Sequence, residues 1–334
     1  MSPTLTTPLR LAHTPGSIAI LDDDFSYLEM LGMVLPAEWS VELYSHPTPF
    51  LHRMQDDVAL WHEEAEAHGQ IIESWRDGAS LIPSVLRYWA TSRRHALVRS
   101  VVVDYNIPSK NGLEVLKALG QWQGSRMLLT GFEDLSIAVK AFNEGLIDQF
   151  IPKNGRAELL PKGIKQLRQR GNPVVHALWE STLKPWQKQE LRTSGIAEQI
   201  ANISNSRWVE YVILPEPFGI LGLTINGRCE WLQFECGFSQ QSLAETGFEA
   251  GLTRSAISAI EGGQLIAAIE LHDQLRIKGD IKVEMATPFG ESTDLRWALF
   301  QVDTTSLGIQ IRSYRDILRM AEHRTVVTAK TIGH

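Results

Sequence analysis

Short apolar runs separated by polar turns dominate the first half of the chain. Ile18 to Leu21, Val41 to Tyr44, Val101 to Val103, Met127 to Leu129 and Gln149 to Ile151 are each a few residues long and rich in branched side chains. Unbroken runs of this kind fit strands buried on both faces, as in a parallel sheet. Between them the spacing turns helical over Phe25 to Leu35, Leu113 to Leu119, Leu135 to Glu144 (stopping at Gly145) and Ala157 to Arg168, with Pro161 in the first turn of the last. Strand and helix in alternation predict an α/β fold with a doubly wound, five-stranded parallel sheet over residues 14–170.

One stretch exceeds that plan. About 50 residues separate Pro47 from Leu97, where one helix of about 11–12 residues plus loops would do. Val58, Trp61, Ala65, His68, Ile72 and Trp75 share a stripe at helical spacing, and Leu81, Val85, Leu86 and Trp89 mark a second helix after Asp77-Gly78. The spacing predicts an inserted helical hairpin over residues 56–94. It is expected either to pack on its own domain or, given its three tryptophans, to form a dimer or partner surface.

Beyond Gly171-Asn172-Pro173 the pattern is helical over 173–206, with Trp179, Leu183, Trp186 and Leu191 as apolar marks, and is read as a helical linker that is a second candidate for homodimer contact. Residues 207–330 then mix periods. Trp208 to Leu214, Gly219 to Ile225 and Cys229 to Phe234 read as strands, the last two joined at Asn226-Gly227. Helical spacing covers Gln240 to Ile277, and strands return at Ile281 to Met285, Leu295 to Val302 and Leu307 to Arg312. The expectation is a C-terminal α+β domain with an antiparallel sheet, in element order loosely like a sensory PAS-type module.

Composition narrows the setting. The 334 residues carry a formal charge of −7, which argues against broad nucleic-acid binding. No apolar stretch approaches the roughly 20 residues of a membrane helix, and MSPTLTTPLRLAHTPG lacks a signal-peptide core and reads as a short flexible arm. The 2 cysteines, Cys229 and Cys236, are too few for a disulfide framework and are expected to be ordinary half-buried thiols, with Trp231 a core residue. A cytoplasmic protein without membrane contact is expected.

Four of the apolar runs end in polar groups: Asp22-Asp23-Asp24, then Asp104, Thr130 and Lys153. Open parallel sheets place their chemistry at the carboxyl ends of strands, so these groups belong to one edge. Acid cluster, lone aspartate, hydroxyl and lysine in that order, with DYNIPSKNGLEVL around Asp104, resemble the receiver domain of two-component response regulators. The resemblance covers roughly the first half of the chain. Ile107 stands where the family usually has Met or Leu, and Lys153 follows Pro152 and precedes Asn154 where the family usually has proline after the lysine.

The resemblance implies that Asp104 is the phosphoacceptor, that Asp22 and Asp23 bind Mg2+ with Asp104 and the Asn106 backbone carbonyl, and that Lys153 meets the phosphoryl group. Thr130 and Phe150 would form the switch. The helix marks Met30, Leu31 and Val34 favour Asp22 and Asp23 over Asp24 at the metal. The implied partner is a histidine kinase or phosphotransfer protein. Hard oxygen ligands suit magnesium, and clustered carboxylates repel one another without a cation.

The output is less marked. No string typical of a nucleotide cyclase, phosphodiesterase, P-loop or kinase nucleotide box occurs, and in His62-Glu63-Glu64 the position for a zincin's second histidine is Glu66. A non-enzymatic sensory or protein-interaction output is therefore expected. The alternative is a DNA-binding regulator using 239–264, which resembles a helix-turn-helix through Gln241, Ala244, Ser255 and Ile257, with a recognition helix beginning near Thr253. Its turn is too long by about three residues, and Arg254 is its lone basic residue, so this alternative is not favoured.

Overall fold

The computed structural model describes residues 9–91, 93–108, 110–131, 134–153, 158–168, 170–290, 294–320 and 326–327. From the N-terminus the elements are β1 (Ala12–His13), β2 (Ser17–Leu21), α1 (Phe25–Val34), β3 (Val41–Tyr44), α2 (Pro47–Arg76), α3 (Leu81–Trp89), β4 (Val98–Asp104) and α4 (Gly112–Ala118). Next come β5 (Ser125–Thr130), α5 (Leu135–Asn143), β6 (Gln149–Pro152), α6 (Leu159–Arg168), α7 (Pro173–Thr182), α8 (Pro185–Arg192) and α9 (Ser194–Arg207). The remainder forms β7 (Glu210–Pro215), β8 (Phe218–Leu223), β9 (Cys229–Glu235), α10 (Gln240–Glu249), α11 (Arg254–Glu261), β10 (Leu265–Ala267) and α12 (Ile269–Leu275). Last are β11 (Val283–Met285), β12 (Thr287–Pro288), β13 (Arg296–Val302), α13 (Tyr314–Met320) and β14 (Val326–Val327).

The five expected runs of the first half lie together as a parallel sheet in the order β14-β3-β2-β4-β5-β6. The side-chain alternation of each strand feeds two cores. Ala19, Leu21, Val101 and Val103 point to a face covered by Phe50, Met54 and Trp61 of α2, Val115 and Leu116 of α4, and Ala138 and Ala141 of α5. Ile18, Ile20 and Val102 point to the other, covered by Leu28 and Leu31 of α1 and by Leu160, Ile164 and Leu167 of α6. Double winding is thus observed, but the sheet has six strands among the described residues, not the expected five. The extra one, Val326–Val327, pairs with Leu43 and Tyr44, and the Val327 carbonyl accepts the Ser45 N–H (3.1 Å). It satisfies backbone groups that an edge strand otherwise leaves open. Ala157, expected to begin the last helix, lies outside the described residues.

The second sheet is antiparallel throughout, in the order β1-β7-β8-β9-β13-β12, and β10 and β11 form a separate antiparallel pair. The α+β expectation holds for this half in outline. Ala12–His13, expected in a flexible arm, instead pairs with Tyr211 and Val212 as an edge strand. Leu265–Ala267 breaks the expected helical stretch, because Gly263 takes a left-handed φ of 65° just before it. The strand expected at Leu307 to Arg312 does not form. A 3-10 turn over Thr305–Leu307 ends at Gly308 with φ 66°, which diverts the chain.

The compact units divide the chain differently from 14–170, 173–206 and 207–330. The described residues within Pro15–Glu66, Ser92–Asn172 and Arg315–His334 form the parallel-sheet unit; those within Met1–Thr14, Ala67–Thr91 and Pro173–Tyr314 form the antiparallel-sheet unit. The expected hairpin is one 30-residue helix, α2, followed by α3, which sits against α12 with the Ile82 N–H donating to Gln274 Oε1 (3.1 Å). Trp61 is buried in the parallel-sheet core, while Trp89 and the half-buried Trp75 belong to the antiparallel-sheet core. All three rings pack inside the chain. The expected linker is likewise three helices, whose Val175, Trp179, Leu191, Ile196 and Ile200 are part of the same second core. No helix of the described residues is long and apolar enough to cross a membrane.

Candidate functional site

The parallel sheet reverses its direction of winding between β2 and β4, which opens a crevice at their carboxyl ends. Asp22 follows β2 and Asp104 ends β4, so the expected acid pair flanks that crevice. Single ligand oxygens of Asp22, Asp23 and Asp104 lie within 4.8 Å of one another. Asp22 and Asp104 are buried and Asp23 is exposed, so the cluster has a floor and an open rim. Lys153, arriving from β6, places its Nζ 2.8 Å from Asp22 Oδ2 and 3.4 Å from Asp104 Oδ2. Four residues from three strand ends therefore converge.

Local chemistry fixes each part. Asp24 accepts the Tyr27 N–H (3.1 Å) as the N-cap of α1, while its own N–H donates to Asp22 Oδ1 (2.9 Å). This assigns the third carboxylate of the triplet to capping and leaves the first two for the cluster. After Asp104 the chain turns back so that the Gly112 N–H donates to the Tyr105 carbonyl (2.9 Å). A Cβ at Gly112 would overlap the Asp104 carbonyl, so only glycine lets α4 start so close to the strand. The Lys153 N–H donates to the Thr130 carbonyl (2.8 Å), which ties the β6 end to the β5 end.

Thr130 is buried and its hydroxyl donates to the Gly131 carbonyl (2.8 Å). Phe150 is half-buried on β6 opposite Leu128, its ring edge-on to Phe142 at 6.4 Å. Asn106 is exposed in the turn after β4, where its side-chain amide donates to Asp134 Oδ2 (3.2 Å). Tyr27 was not singled out from the sequence. Its ring lies 4.9 Å, centroid to Nζ, from Lys153. The only sequence signal for it is an aromatic residue in the first turn after the acid triplet.

The electrostatics are unbalanced toward negative charge. Burial, with the nearby Asp104 adding to it, pushes Asp22 up to about 6 against the opposing Lys153 and Asp24 hydrogen bonds. Asp104 is raised too, chiefly by burial, although Lys153 and the Asn106 N–H pull it the other way. Burial disfavours the Lys153 ammonium, yet its contacts with Asp22 and Asp104 outweigh that and raise its pKa. One ammonium pairs with two of the three carboxylates.

No family model and no curated protein matches the sequence. Among solved structures the chain is similar to the Legionella pneumophila response regulator LqsR, at 18% identity and a TM-score of 0.66, over 95% of this chain and 97% of that one. The chain shares the fold of that response regulator. A receiver domain protein of Methanospirillum hungatei (18% identity, TM-score 0.32, 46% of this chain and 94% of that) and an adenylate cyclase from Rhodopirellula baltica (19%, 0.31, 50% and 95%) are similar at scores that carry no argument. The likeness to the LqsR fold spans both sheets.

Proposed function

We propose that the chain is a cytoplasmic response regulator that accepts a phosphoryl group on Asp104. The observation that supports it is the convergence of Asp22, Asp23, Asp104 and Lys153 on one crevice from β2, β4 and β6. The donor is a histidine kinase or phosphotransfer protein carrying phosphohistidine. An Asp104 carboxylate oxygen attacks phosphorus, the P–N bond breaks, and the imidazole leaves with the electron pair and takes up a proton.

The donor set fits a hard divalent cation. The clustered atoms are carboxylate oxygens, and three acids beside one ammonium that pairs with two of them leave negative charge uncompensated. Asp22, Asp23, Asp104 and the Asn106 carbonyl would hold Mg2+, which supplies neutralisation of the phosphoryl oxygens. Lys153 offers a compact positive charge to another of those oxygens. The Thr130 hydroxyl, now turned to Gly131, would rotate to the new group, and Phe150 would move into the space released. The antiparallel-sheet unit would read that change as a sensory or protein-interaction output. The helix-turn-helix alternative is supported by α10 and α11 with Thr253 capping the second, but Arg254 is the lone Lys or Arg from Ser239 to Gln274, too few for phosphate contacts.

Incubating the full chain with radiolabelled acetyl phosphate and Mg2+ tests the proposal. The expected product is a hydroxylamine-labile phosphate that Asp104→Ala lacks; equal labelling of that variant would refute the assignment.

A further inference from the structure

Lys153 faces a conflict that the phosphoacceptor reading creates. Its ammonium rests on Asp22 (2.8 Å) and Asp104 (3.4 Å), the same carboxylates that must turn to a cation and to phosphorus. During that exchange the ammonium loses its anionic partners before a phosphoryl oxygen replaces them. A desolvated ammonium without partners is costly, and one that swings to solvent is absent when needed.

We propose that Tyr27 is a positioning residue that keeps the Lys153 ammonium over the crevice while the carboxylates change partners; this rests on the phosphoacceptor reading. Lys153 Nζ lies 4.9 Å from the ring centroid, within the range of a cation–π contact. A neutral ring face takes no part in metal or phosphoryl binding, so it is the contact that persists throughout. Its placement is set by the site itself. Tyr27 is the third residue of α1, its N–H donates to Asp24 Oδ1 (3.1 Å), and the Asp24 N–H donates to Asp22 Oδ1 (2.9 Å). One chain of hydrogen bonds therefore orients both the acid and the aromatic residue. The side chain is half-buried against the core under α1, which holds the ring in place.

The test compares Tyr27→Phe, Tyr27→Leu and Tyr27→Trp in the full chain with acetyl phosphate and Mg2+. Tyr27→Leu is expected to lower the limiting rate of Asp104 labelling by about 2- to 30-fold, with the phosphodonor KM little changed. Tyr27→Phe keeps a ring face and should keep the rate; Tyr27→Trp should match or exceed wild type. A packing role would also rank ring over aliphatic, so the labelling rates are read together with the Lys153 ε-methylene resonance, which packing alone does not move. Wild-type rate in Tyr27→Leu, or a Tyr27→Phe as slow as Tyr27→Leu, overturns the inference and leaves Asp104 as acceptor. Independently, the Lys153 ε-methylene protons should be shifted upfield by the ring in wild type and return in Tyr27→Leu. No upfield shift in wild type overturns the inference even where labelling succeeds. A wild type that takes no phosphate sinks the phosphoacceptor reading, and this one with it.

Discussion

Two buried carboxylates, one in each unit, are treated in opposite ways. Glu230 on β9 receives Arg207 Nε (2.9 Å), Arg207 Nη2 (3.2 Å), Trp208 Nε1 (2.9 Å) and Gln301 Nε2 (3.0 Å). Burial works to raise its pKa, and these donors outweigh it, leaving the group below its usual range. Asp22 in the parallel-sheet unit is pushed the other way, up to about 6 by burial, and shares Lys153 with Asp104. Every lone pair of Glu230 has a use, so it serves the fold. Asp22 instead divides one ammonium with Asp104 and sits beside the exposed Asp23, an arrangement more usual at functional than at structural acids.

The sharpest way to break this contrast is to remove each carboxylate in turn. Glu230→Ala strands the Trp208 indole N–H, Gln301 and the half-exposed Arg207, and should cost about 3 kcal/mol in urea unfolding followed by tryptophan fluorescence. A loss under about 1 kcal/mol would mean that the network is ornamental. Asp22→Asn should move stability upward, by about 2 kcal/mol, because it removes one of two buried carboxylates crowding one ammonium. The same variant should take no phosphate from acetyl phosphate and Mg2+. A destabilised Asp22→Asn would place Asp22 with Glu230 as a structural acid.

The two carboxylates also differ in how far the sequence announced them. The Asp22 site was legible because strands buried on both faces must be unbroken apolar runs, and Asp104, Thr130 and Lys153 each stop such a run. Glu230 was not, since its donors Arg207, Trp208 and Gln301 come from a helix end, a loop and another strand. The same limit hid β1 and β14. A two-residue strand has no period, and what makes it a strand is a partner far along the chain. Helix α2 was legible as helix but not as one rod, because the stripe from Val58 to Trp75 is read by one core up to Trp61 and by another from Ile71. Gly263 and Gly308 were visible as glycines, but their left-handed φ, which ends a helix at one and prevents a strand at the other, depends on the turn around each.

Acid offers a finer probe of the parallel-sheet unit. His95, buried just before β4 in sequence, is pushed down to about 2, first by burial and then by Arg94 and Arg99. The folded chain holds this imidazole neutral, whereas the unfolded chain protonates it near its ordinary value of 6.5. Its contribution to stability is therefore complete well above 6.5 and is lost as pH falls through that value, approaching about 1.4 kcal/mol per pH unit below about pH 5.5. Other groups titrate over the same range, so the quantity to measure is a difference. Wild type minus His95→Gln in urea unfolding should fall by about 1 kcal/mol from pH 6.5 to 5.5. A flat difference would show that the imidazole is not held neutral. Glu230, with its lowered pKa, contributes fully above its ordinary 4.5 and fades only below that, so the units should part company in mild acid.

The smallest effect separates the members of the acid triplet. Asp24 is exposed and its side chain accepts the Tyr27 N–H (3.1 Å), a partner it shares with no other acid, whereas Asp22 shares Lys153 with Asp104. Asp24→Ala should cost about 1 kcal/mol through the lost cap of α1, and Asp24→Ser should recover most of it. Because the Asp24 backbone N–H still reaches Asp22 in the alanine variant, labelling of Asp104 should stay within about 3-fold of wild type. Loss of labelling with the cap restored by serine would move the metal-holding role from Asp23 to Asp24. The contrast between satisfied and unsatisfied carboxylates would then run through the triplet at a different residue, with Asp23 as the solvated one.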